Sequence, residues 1–87
     1  MGLMHLGRAR LAMALPGCRQ QLRSTKSQDL YELFEAYAVA STAHDHLIHE
    51  APRQEDLVSE LQQICRDLQI DVVALLALLE ELQSQRL

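Results

Sequence analysis

Aromatic residues are nearly absent from this chain: it has no tryptophan, one phenylalanine and two tyrosines. Glycine and proline are scarce as well, and beyond Gly17 only Pro52 represents either. Strands favour β-branched and aromatic residues, and many-turned β folds need frequent Gly and Pro, so a β sandwich or barrel is excluded. Two cysteines, Cys18 and Cys65, are too few for a disulfide framework and have no metal-ligand spacing. No run approaches the roughly 18 consecutive apolar residues that a membrane span requires. A Gly-rich phosphate loop and a nucleophile elbow are both missing, so no catalytic residues are assigned.

What remains is rich in Leu and Ala, the residues of helices. The 87 residues allow one domain at most. Charge is divided along the chain. Residues 1–28 carry Arg8, Arg10, Arg19, Arg23 and Lys26 and no acid, whereas residues 29–87 carry twelve acids against Arg53, Arg66 and Arg86. Periodicity is also weak before Asp29. Residues 1–28 therefore read as a basic leader, disordered or targeting, ahead of an acidic helical domain over 29–87. A transit segment fits the Arg-rich, acid-free composition, and a lipoprotein signal ending at Cys18 has too short an apolar run. A basic arm for nucleic acid or an acidic partner is a further reading.

The first helix is expected over 28–49. Ser27 is its N-cap, and Asp29 and Glu32 lie near its start, where the helix dipole favours acids. Leu30, Leu33, Phe34, Tyr37, Ala40, Leu47 and Ile48 recur at helical spacing. Ala36, Ala40 and Ala43 form a small-residue stripe that permits close approach of another helix. Pro52 ends the segment and opens a second helix over 53–69. There Leu57, Val58, Leu61, Ile64, Cys65 and Leu68 form an apolar face.

Gln69-Ile70-Asp71 decides the architecture. Asp71 suits the N-cap of a third helix over 72–84, with Ile70 and Leu75 as a hydrophobic staple. Against this, Val58, Leu61, Cys65, Leu68, Val72, Leu75, Leu79 and Leu82 hold heptad spacing through the junction. The expected fold is all-α: a small three-helix bundle, with a helical hairpin containing one long second helix as the alternative.

Residues 72–79, VVALLALL, are apolar at every position. A helix hydrophobic all round must be covered all round, which two short neighbours achieve only in part. Val72, Leu75, Leu76, Leu79 and Leu82 are therefore the expected interaction residues. The partner is a second copy, giving a homodimer, or another protein. The function implied is non-enzymatic: an assembly factor, adaptor or regulatory subunit in the cytoplasm, or in an organelle if a transit segment is removed.

Two other chemistries have weaker support. His44, Asp45, His46, His49 and Glu50 cluster, but no second cluster supplies the remaining ligands of a closed site, so no metal or cofactor is assigned. Residues 60–79 have the outline of a helix-turn-helix. Its second helix presents Val, Ala and Leu rather than Arg or Asn, and the acidic body repels phosphate, so nucleic acid is not the expected partner. A nucleic-acid regulator acting through the basic arm and a metal-binding bundle stand as alternatives.

Overall fold

The computed structural model describes residues 2–50, 52 and 54–85. It is all-α. Helix α1 spans Leu3–Ala14, a single 3-10 turn covers Pro16–Cys18, α2 spans Arg19–Ser24, α3 spans Gln28–Ile48 and α4 spans Glu55–Gln85. A small helical bundle was expected, and a small bundle is found, but its three long members differ from those expected.

The first difference is the leader. Residues 3–24 are helices joined to the core, not a disordered tail. Leu11 and Leu22 are fully buried beside Leu30, Phe34, Val72 and Leu76. Gly7 makes this possible. Its Cα lies so close to α3 that a Cβ there would fall 1.7 Å from the Phe34 carbonyl oxygen. Only the residue without a Cβ lets the two backbones meet at that distance. The charge contrast then acts as complementarity between helices. Arg10 Nη1 donates to Asp45 Oδ2 at 2.9 Å and to Ser41 Oγ at 3.0 Å, tying basic α1 to acidic α3.

Pro16 follows the end of α1, and the chain turns back through Leu15 and Cys18, both packed on the core. Tyr31 Oη donates to the Thr25 carbonyl at 3.1 Å, which fastens the connection into α3. Helix α3 starts as expected: the Leu30 N–H donates to Ser27 Oγ at 3.3 Å. Its inward side is Leu30, Phe34, Tyr37, Ala38 and Ala40. Of the small-residue stripe, only Ala40 is buried, and Ala36 is exposed.

The second difference lies at Asp71. There is no break: α4 runs unbroken for 31 residues. At 1.5 Å per residue it is about 46 Å long, close to the 56 Å longest dimension of the molecule. The hairpin alternative was right about this helix. Its start, expected at residue 53, lies outside the described residues, and the first helical residue is Glu55.

The energetics explain the outcome. A cap at Asp71 contributes about 1 kcal/mol. Ending a helix there leaves backbone groups of both new ends to be satisfied and turns the following segment out of line. Continuity instead keeps Val58, Cys65, Leu68, Val72 and Leu76 on one side, where Val58, Val72 and Leu76 are buried. Burying a Val or Leu side chain is worth about 1.5–3 kcal/mol, so two such residues beyond the junction outweigh one cap. Gln69 Nε2 donates to Tyr37 Oη at 2.8 Å, holding α4 to α3 beside the disputed position. Further along, Gln21 Nε2 donates to Glu80 Oε1 at 2.7 Å, so α2 meets the C-terminal third of α4.

Candidate interaction surface

Of the five expected interaction residues, Val72 and Leu76 are buried in the chain's own core. Leu75 and Leu79 are half-buried against it, and Leu82 is about half exposed. The residues that a partner could touch are largely others on the same helix.

Around α4, burial centres on Val58, Val72 and Leu76, with Cys65, Leu68, Leu75 and Leu79 of the heptad half-buried beside them. A second line, which shares Leu61, Leu68, Leu75 and Leu82 with that heptad, is covered only in part. Leu57, Leu61, Ile64, Leu68, Asp71, Leu75, Leu78 and Leu82 alternate spacings of four and three residues, the geometry of a coiled-coil seam. Leu57, Ile64, Leu78 and Leu82 are 43–50% exposed, and Leu61, Leu68 and Leu75 between them are half-buried. Seven of the eight positions are apolar. Ile70 and Val73 add exposed apolar surface on another side of the helix.

The outer border of this seam is acidic. Glu60, Asp67 and Glu81 recur at multiples of seven residues along it, and Asp71 interrupts the seam itself. All four are exposed, and none is in an ion pair among the described residues. Asp67 Oδ1 accepts from Gln63 Nε2 at 2.9 Å, within its own helix.

Sequence reasoning took Leu75 and Leu82 from this seam, but by following the densest apolar run it added Val72 and Leu76, which are buried, and left out Leu57, Ile64 and Leu78. The same spacing test shifted in phase finds Leu57, Ile64 and Leu78.

The clustered titratable groups lie elsewhere. A cleft of about 510 Å³ is lined by Arg10, Tyr37, Ser41, His44, Asp45 and Cys65, among others. Cys65 carries a free thiol, half-buried here. Burial raises its pKa above the ordinary thiol value, the Asp45 carboxylate raises it further, and Arg10 opposes both. The thiolate is the nucleophile, and this environment disfavours it. His44 Nδ1 lies 4.0 Å from Asp45 Oδ1, and His49 Nδ1 is 2.8 Å from the Asp45 carbonyl oxygen, near the α3 C-terminus. His46 is exposed. Among the described residues no three His, Cys, Asp or Glu side chains converge as a metal site, and no helix is long and apolar enough to cross a membrane.

No family model, curated protein or solved structure matches this chain.

Proposed function

We propose that this chain is a non-enzymatic protein-interaction module that uses α4 to hold a helix of another protein. The observation that carries the reading is the half-exposed apolar seam from Leu57 to Leu82, which spans almost the whole of the longest helix. Apolar seams of this kind bind an amphipathic helix through anchors three and four residues apart. The acidic border selects a partner whose flanking residues are Lys or Arg. A second copy of the chain is the other occupant to consider. It brings the same acids to the joint, and like charges across an interface oppose association.

The α1–α2 segment contributes indirectly. Its Leu11 and Leu22 complete the buried cluster in which α3 holds the core side of α4, so the seam faces outward. A nucleic-acid regulator acting through a free basic arm has less to rest on, since residues 3–24 are docked helices.

The test is affinity capture with the wild-type chain and with an Ile64→Asp, Leu78→Asp double variant, each first checked by thermal melting. Both residues are about half exposed, so the variant is expected to fold. The expected result is a partner retained by wild type and lost by the variant. Identical capture by both would refute the reading. Sedimentation equilibrium at low micromolar concentration separates the occupants: a stable dimer that the double variant dissociates assigns the seam to a second copy.

A further inference from the structure

The α1–α2 face differs in chemistry from the rest of the molecule. Between the two helices runs a groove of about 420 Å³ whose lining includes His5, Arg8, Met13, Arg19, Leu22 and Arg23, with no acidic residue. Among the described residues none of its three arginines meets a carboxylate, whereas Arg10, on another side of α1, is paired with Asp45. Arg8 is held in place from below. Its guanidinium carbon lies 5.7 Å from the ring centres of both Tyr31 and Phe34, and its Nε is buried with no hydrogen-bond partner. Arg19 Nε donates to the Ala12 carbonyl at 3.4 Å, which leaves its terminal nitrogens free. Three unpaired guanidiniums around one groove repel one another unless an anion lies between them. Their planar forks match the oxygens of a phosphate.

The groove also has hydrocarbon at its lip. Leu6, Ala9 and Met13 follow one another at spacings of three and four on the outer side of α1, and Met13 is 77% exposed. Exposed Met and Leu beside unpaired arginines are the two components of a surface that lies on a charged bilayer. Binding of a single strand by base stacking would be favoured by exposed Trp, Tyr or Phe rings, and none of these is exposed among the described residues.

We infer that the α1–α2 groove binds the phosphate of an anionic phospholipid at a bilayer surface. Arg8, Arg19 and Arg23 hold the phosphate, and Leu6 and Met13 enter the acyl boundary. The attachment is peripheral, since no described helix is long and apolar enough to span. The chain as a whole carries a net charge of −4, so average electrostatics oppose an anionic surface and any attraction must come from this face.

The test is cosedimentation of the full chain with phosphatidylcholine vesicles and with the same vesicles containing phosphatidylglycerol. Retention is expected on the anionic vesicles alone and declines with added salt. One basic residue near such a surface changes partitioning about fivefold, so Arg19→Gln with Arg23→Gln should weaken it about 25-fold. Both side chains are exposed, and an unchanged melting curve verifies the fold. Arg23→Gln alone, at about fivefold, serves if the double variant fails to fold. Arg66→Gln, which removes one charge from α4 as Arg23→Gln does from α2, should leave retention unaltered. Soluble glycerol phosphate matched in phosphate concentration should not displace the chain. The inference is overturned by no retention on anionic vesicles, by an equal loss in Arg66→Gln, by full displacement with glycerol phosphate, or by tighter binding of single-stranded RNA at the same salt.

Discussion

Replacing Gly7 with alanine sets two known effects against each other. Alanine is the better helix former by about 0.8–1 kcal/mol, so in a free or loosely attached helix the change stabilises. In the docked helix the new Cβ meets the Phe34 carbonyl oxygen at 1.7 Å, and it must retreat to at least 3.0 Å. The obstacle is backbone, not the end of a flexible side chain, so a rotamer change cannot relieve it. The helices must part, and radial gaps of 0.5–1 Å already forfeit a quarter to a half of the dispersion attraction between facing atoms. The loss falls on fully buried Leu11 and Phe34. Overpacking costs typically about 1–3 kcal/mol, and a backbone obstacle belongs at the upper end. Net of the helix gain, Gly7→Ala should destabilise by about 2 kcal/mol. For a domain of this size that lowers the melting temperature by about 8–16 °C. Thermal melting followed by circular dichroism measures it, with Gly17→Ala as the control, because nothing lies within 4 Å of a Cβ there. A Gly7→Ala protein that melts at or above wild type would refute the close crossing of α1 and α3.

The other expectations concern the junction, the leader and the thiol. Asp71→Ala should raise stability by a few tenths of a kcal/mol, because Asp71 is an exposed interior position of a continuous helix; a loss of about 1 kcal/mol in urea denaturation would restore a capped break. Deleting residues 2–24 removes two fully buried leucines and uncovers Phe34, so the remainder should lose cooperative melting; an unchanged transition would show that α1 and α2 are dispensable. Cys65 should react with iodoacetamide more slowly than a free thiol at pH 8, with the midpoint of its pH profile shifted upward. A rate equal to that of a small-molecule thiol would contradict its burial beside Asp45.

How much of this could be read in advance varied by helix. Helix α3 was legible because its local signals agree: the Ser27 cap, the acids at its start and the spacing of Leu30, Phe34 and Tyr37 all specify one element. Helix α4 was ambiguous because a local signal at Asp71 opposed a longer-range one. Burial of Val72 and Leu76 on the line already set by Val58 decided it, and such tertiary terms are invisible to capping rules. Helix α1 was missed for a physical reason. Its inward side is Met4, Gly7, Leu11 and Ala12, while Leu3, Leu6 and Met13 are exposed around it, so its apolar residues encircle the helix and no stripe stands out. The change of charge at Asp29 looked like a domain boundary, yet opposite charge is what two packed helices use, as Arg10 and Asp45 do. The exposed side of α4 was visible in the apolar run, but which of its leucines stay uncovered depends on where α3 and α2 lie.

The hydrogen bond from Gln21 to Glu80 joins residues 59 positions apart, whereas Arg10 reaches Asp45 across 35. Closing the shorter loop costs less conformational entropy, so the α1–α3 pair can close around Gly7 before α2 and the C-terminal third of α4 meet. That intermediate has Phe34 and Leu30 covered on one side only, with the side meant for Val72 and Leu76 still open to water. Until the C-terminal half of α4 docks, that apolar surface stays exposed, and transiently exposed apolar surface makes partly folded chains prone to aggregate. That order of closure makes α4 the closing piece of its own fold before it can be a docking site for anything else.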